Sequence, residues 1–297
     1  MPRSTTTVWA VSVLLLAGIA SPRDTYGQTI TAEVEGGRPL AAAVDLLERV
    51  YSRPISYEDP MTVNAGELKD DIENFQRTPD PSHRIFVQKG RKITFQYKTP
   101  TSLPSWSGDP QQFKAETDKA LTDALNSMLD GYATAGGPES FAVTSENGSA
   151  YVLPISFLAK EGKIQPTMAI LDTKITIPPG TRTRIDLYMD ICAALSKTTG
   201  TKVGASWFPV NGGSMQARSP TTISGTDIPA RTLLDQLLTE FEAEVWGNVP
   251  LSWPDGTTRL SHEVIIPSSA GSLSWRVLYG PGWGYFINFH PVSRPEE

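Results

Sequence analysis

The sequence predicts an α+β protein made of two tandem small domains, each about two helices packed on a small mixed sheet with a closing hairpin. Three observations carry that expectation. Amphipathic helical stretches alternate with short extended ones, each half ends on a hairpin pattern, and the order strand, helix, strand, helix, hairpin occurs twice. A hydrophobic content of 39% with 20% charged residues fits a globular chain able to bury cores.

The first 27 residues read as a secretory signal peptide. Arg3 supplies positive charge, and Val8 to Ala20 (VWAVSVLLLAGIA) is uncharged and apolar. Small residues place cleavage after Ala20 or after Gly27. The apolar run stops at Ser21-Pro22-Arg23, short of the roughly 20 residues that span a bilayer, so a permanent anchor is not expected. The single cysteine, Cys192, lies far from either cleavage point, which closes the lipoprotein route and also rules out an internal disulfide. Its helical, apolar surroundings (IDLYMDICAALSK) favour a buried, inert thiol.

The first domain is expected over residues 28–158. A strand from Thr29 to Val34 leads through Gly36-Gly37 to a helix, Pro39 to Tyr51. Leu40, Val44 and Leu47 recur there at helical spacing, and Pro39 suits the first turn. A short extended piece, Ile55-Ser56-Tyr57, follows. A second helix spans about Pro110 to Asp130, with Asp109 as N-cap and Gly131 as left-handed C-cap. The hairpin Phe141–Ser145 and Ala150–Ile155 turns at Asn147-Gly148, a pair that accepts the positive φ angles of a tight turn. An inserted hairpin is expected at 84–98, around Lys89-Gly90.

A polar linker, 159–168, separates this from a second domain over 169–297. Its strand covers Asp172 to Ile177 and is broken by Pro178-Pro179-Gly180. A helix from Arg184 to Thr198 ends at Gly200, an extended piece runs from Lys202 to Trp207, and another helix runs from Pro229 to Val245. Ser274–Tyr279 and Gly284–His290 form the last hairpin. An inserted loop, 247–271, contains the strand-like His262 to Ile266.

The runs RPLAAAVDLLERVYSRPISYEDP and KALTDALNSMLDGY, followed by a hairpin, resemble the secretin and TonB N-terminal short domain. Pro39-Leu40, Tyr57, Leu129-Asp130-Gly131 and the Asn147-Gly148 hairpin follow that family's order. In the second half Gly200, Ile228-Pro229-Ala230-Arg231 and Leu237-Leu238 do so. The chain departs from the pattern at Arg53-Pro54, where a glycine is usual after the first helix, and after Leu238. The resemblance implies a periplasmic protein–protein interaction module with no catalytic residues to carry over.

Motifs for chemistry are sparse. His83, His262 and His290 have no metal-binding spacing, no Gly-x-Ser-x-Gly elbow occurs, and Gly212-Gly213-Ser214 lacks a phosphate-loop lysine. Asp70-Asp71-Glu73 and Glu240-x-Glu242-x-Glu244 read as solvated faces, which leaves no catalytic, cofactor or metal residue to nominate. A net charge of −6 without a Lys/Arg cluster argues against nucleic acid. Tryptophan is the remaining signal. Trp275 alternates with apolar neighbours and is expected in a core, whereas Trp253 and Trp283 sit in turn-like segments and, with Tyr285, are the candidate contact residues. The sequence thus points to an exported periplasmic or secreted protein, a non-enzymatic adaptor for another envelope protein. The alternative is a cell-wall glycan binder that uses the second-domain aromatics.

Overall fold

A computed structural model describes residues 12–14, 28–70, 86–99, 110–146, 148–205, 218–245, 250–252, 258–260 and 270–293. Among these residues the protein is α+β, with four α-helices and several small sheets around one larger sheet.

The helices are α1 (Pro39–Tyr51), α2 (Pro110–Thr134), α3 (Arg184–Thr199) and α4 (Ala230–Val245). The strands that build the framework are β1 (Thr29–Gly36), β2 (Ile55–Glu58), β3 (Arg91–Lys98), β4 (Phe141–Glu146), β5 (Ser149–Pro154), β6 (Lys174–Ile177), β7 (Val203–Ala205), β8 (Gly225–Pro229), β9 (Ala270–Gly280) and β10 (Gly284–Ser293). The largest sheet has six strands in the order β7-β10-β9-β2-β5-β4.

Pairing follows one scheme in both halves. In the first, β1 pairs antiparallel with β3, β2 runs parallel to β5, and β4 and β5 form an antiparallel hairpin. In the second, β6 pairs antiparallel with β8, β7 runs parallel to β10, and β9 and β10 form the hairpin. Even a single bond outside the ladders recurs: Ala150 donates its N–H to Pro54 O at 3.0 Å, and Tyr285 to Lys202 O at 2.8 Å. The halves meet where β9 lies parallel to β2, with Arg276 opposite Tyr57 and Val277 opposite Glu58.

Two hydrophobic cores lie on opposite faces of this shared sheet, because strand residues alternate sides. Ala150 and Val152 of β5 join the core of α1, α2, β1 and β3, with Leu47, Phe95, Leu125 and Met128. Tyr151 and Leu153, with Trp275 and Val277 of β9, join the core of α3 and α4, with Leu187, Ile191, Leu237 and Phe241. Trp275 is fully buried, as its alternation predicts.

Helix ends follow local chemistry. The Thr183 hydroxyl accepts from Asp186 N at the start of α3, and Gly200 closes that helix at φ 70°. At the end of α1 the same left-handed position is held by Ser52 at φ 49°.

Several expectations are corrected. The 84–98 segment is not a self-paired hairpin. Phe86–Gln88 pairs with Leu68–Asp70, while β3 gives all eight of its residues to β1. β3 therefore belongs to the repeated scheme as the counterpart of β8, a strand that the sequence reading, with its helix starting at Pro229, did not assign. Gly131 is not a cap either, since α2 continues to Thr134. A Cβ at Gly131 would lie 2.3 Å from Thr94 O, so this glycine lets α2 lie directly against β3. Helix propensity alone would make Gly131→Ala stabilising by about 1 kcal/mol. The clash is expected to reverse that sign, with a net loss of about 1–3 kcal/mol in thermal or urea unfolding. A stabilised variant would refute the close packing. The 159–168 connection is itself folded, with Ser156–Leu158 antiparallel to Ile164–Pro166 and Gly162 at φ 75° in the turn.

In the 247–271 loop, Pro250–Ser252 pairs with Thr258–Leu260, and Ala270-Gly271 already belongs to β9. His262–Ile266, Asp109 and His83 lie outside the described residues. Of the segment 1–27, only Ser12–Leu14 is described, paired antiparallel with Thr31–Glu33.

Candidate functional site

The densest set of ionisable groups lies where the halves meet. Asp45 and Glu48 stand one turn apart on α1, and Arg276 reaches them from β9. Its Nη2 lies 2.8 Å from Asp45 and donates also to Glu48, while its Nη1 donates to Ile55 O at 2.5 Å. Glu48 further accepts from Ile55 N at 2.8 Å, and His290 Nε2 lies 3.4 Å from it. Glu48 is 1% exposed. Burial pushes its carboxyl up to about 7, against the lowering effect of Arg276. Burial, then Arg276, hold the His290 imidazole below its ordinary value.

Asp45, Glu48 and His290 bring one ligand atom each within 4.8 Å of one another, a spacing a metal could use. The Arg276 guanidinium already bonds both carboxylates at that point. A planar cation donating to two carboxylates is an ion-pair clamp, and a divalent ion would have to displace it.

Two neighbouring acids are also fully engaged. Glu58 on β2 is 0% exposed and accepts from Ile170 N and from Leu171 N, the latter at 3.3 Å. Burial raises its carboxyl to about 8, although both backbone N–H groups favour the charge. Asp59 accepts from Arg38 Nε at 2.7 Å, from the Tyr57 hydroxyl at 2.8 Å and from Tyr279 N at 3.0 Å. On the opposite face of the sheet, Asp235 of α4 accepts from Tyr151 Oη and Trp275 Nε1, each at 3.0 Å, and burial raises its carboxyl. Every one of these bonds but Glu48–Ile55, Asp59–Tyr57, Asp59–Arg38 and Asp235–Trp275 joins the first half to the second. The cluster holds the two halves in one geometry.

A shallow cleft, open to solvent, opens beside the start of α1 and is lined by Arg38, Glu67, Arg91, Tyr132 and Glu139 among others. Its charges are paired internally: Arg91 with Glu67, Tyr132 with Glu139, and Arg38 with Asp59.

The predicted contact residues separate. Trp283, in the turn between β9 and β10, is 60% exposed. Tyr285, two residues on, is buried and packs edge-to-face on Tyr279 at 5.0 Å, so it is a core residue and not a contact. The period of the strand turns alternate residues inward, and Tyr285 falls on the inward side. Trp253 lies outside the described residues. Cys192 is buried, and burial raises its thiol to about 12, far from a reactive thiolate.

Sequence reasoning missed the junction. Its signals were present: Glu48 falls among the apolar positions Val44, Leu47 and Tyr51 of α1, and Arg276 interrupts the apolar run Leu273 to Tyr279. No helix among the described residues is long and apolar enough to cross a membrane. No family model, no curated protein and no solved structure matches this chain.

Proposed function

We propose that the chain is an exported, non-enzymatic interaction protein of the bacterial envelope, built from a tandem duplication of one α+β unit similar to the secretin and TonB N-terminal short domain. The observation that carries this reading is the shared pairing scheme of the two halves, down to the matched Pro54 and Lys202 carbonyl bonds. The engagement of the buried acids in the junction supports it further, since their bonds serve architecture. Open sheet edges in such a unit offer a partner main-chain hydrogen bonds, with side-chain pockets giving choice.

The reading is tested in two steps. Mass spectrometry of the exported protein is expected to give a mature N-terminus at Ser21 or Gln28, and an intact Met1 would remove the export premise. Cross-linking in intact cells, then capture from envelope extracts with the mature chain, is expected to return one protein partner that purified chain competes away.

The exposure of Trp283 favours a second reading, a cell-wall glycan binder. Titrating tryptophan fluorescence with cell-wall glycans separates the two. A saturable response lost in Trp283→Ala supports glycan binding, and a flat response ends it.

A further inference from the structure

The six-stranded sheet ends on two edges that are counterparts of a pair already joined inside the molecule. At the internal junction, β9 (the first hairpin strand of the second half) accepts β2 (the parallel strand of the first half). Among the described residues, the strands that end the six-stranded sheet are β4, the first hairpin strand of the first half, and β7, the parallel strand of the second. Both strand types thus end one sheet. On β7 the Val203 N–H donates to Ser196 Oγ at 2.8 Å and its C=O accepts from that hydroxyl at 3.2 Å, as Ile55 N is taken by Glu48 at the junction, so a strand added there would pair through Ala205.

The directions also agree. β9 and β2 run parallel, β2 runs parallel to β5 and β4 opposes it; β9 opposes β10, which β7 follows. Moving along the sheet from one half to the other therefore reverses every strand and exchanges the faces that carry the helices. A second copy added at β4 through its own β7 would repeat that step, parallel as at the junction.

We propose that copies of this chain associate head to tail, β4 of one against β7 of the next, continuing the central sheet. The register follows from the repeat. Ala150 and Tyr285 are equivalent by their bonds to Pro54 and Lys202. Val152 then matches Ile287, which makes Ala205 the counterpart of Tyr57 and Ala142 the counterpart of Arg276. Arg276 faces Tyr57 within the chain, so Ala142 faces Ala205 between chains. Because alanine stands where the clamping arginine does, the contact between chains rests on main-chain bonds and small apolar side chains. It is reversible and concentration-dependent. A heterologous contact of this kind leaves a free β4 and a free β7 on every assembly, so growth does not stop at two.

The test uses the full mature chain. Sedimentation velocity over a wide concentration range is expected to show a weight-average mass that rises steadily past that of a dimer. Oxidised Ala142→Cys/Ala205→Cys is expected to give a reducible ladder, while either single variant gives none beyond a dimer; Cys192 is buried and leaves the readout clear. Val143→Pro supplies an independent check. The two-residue turn makes Glu146 and Ser149 a hydrogen-bonded pair, so alternation points the Val143 N–H outward. Proline there removes an edge donor and spares the hairpin ladder, and it should weaken association about tenfold with an unchanged circular dichroism spectrum. A monomer at every concentration without a ladder overturns the proposal. So does a closed two-fold dimer.

Discussion

Arg276→Met is expected to lower the unfolding free energy by about 3–5 kcal/mol, the range for removing one partner of a buried ion pair. The substitution keeps most of the apolar stem while deleting the charge. It leaves Glu48, 1% exposed, with a backbone N–H, the Ser274 hydroxyl and a half-exposed histidine as its remaining partners. It also strips Ile55 O of its donor and releases Asp45 on the exposed side of α1. The loss depends on pH with a definite sign. Without the guanidinium, the Glu48 carboxyl is held still higher than about 7 in the folded state, against an ordinary 4.5 in the unfolded one. The unfolded value is common to both chains, so the added cost is small below about pH 7, where Glu48 is mostly protonated in both folded states, and grows as pH rises above it. Urea unfolding at pH 5 and pH 8 checks this, and the double variant Glu48→Gln/Arg276→Met should recover part of the loss. Equal midpoints for wild type and Arg276→Met at pH 8 would show that the clamp contributes nothing.

The fold was legible where local pattern sufficed. The apolar spacing of Leu40, Val44 and Leu47 with Pro39 in the first turn located α1 at its observed bounds, and Gly200 marked the end of α3. Asn147-Gly148 located the first hairpin, with Gly148 at φ 84°. Pairing was not legible, because the partner of a strand can lie anywhere in the chain. β3 reads as half of a local hairpin until its ladder to β1 is seen, more than fifty residues back. β8, sequence GTDIP, carries one apolar side chain in five and gives no alternation to detect. Gly131 is chemically the same whether it caps a helix or admits a strand, and only the 2.3 Å distance to Thr94 O decides. The junction acids failed for a related reason. A carboxylate within an apolar stripe signals burial, but its partner is a property of the tertiary fold. Arg276 and Glu48 are 228 positions apart.

Glu58 gives the second large effect, and it separates burial from pairing because its partners are neutral backbone groups. The carboxyl titrates near 8 when folded and near 4.5 when unfolded, so the folded state binds more protons between those values. Stability contributed by this group is therefore greatest below pH 4.5 and declines as pH rises to 8, by an amount on the order of a few kcal/mol. His290 opposes this trend below pH 6.5, since its lowered value makes the unfolded state the better proton acceptor there. The Glu58→Gln difference removes that ambiguity. Ile170 N and Leu171 N donate to different oxygens of Glu58, so glutamine keeps an acceptor for one of them and cannot ionise; subtracting its stability profile from that of the wild type leaves a constant offset plus the pH-dependent part of the one carboxyl. The difference curve is expected to slope between pH 4.5 and 8 and to be flat outside that window. Glu58→Ala should show the same slope against the wild type and lie about 1–3 kcal/mol below Glu58→Gln at every pH, because it leaves those buried donors without an acceptor. A flat difference curve for Glu58→Gln would mean that the carboxyl keeps its ordinary value, and that the two N–H groups outweigh the burial of Glu58 beneath the 170–172 turn.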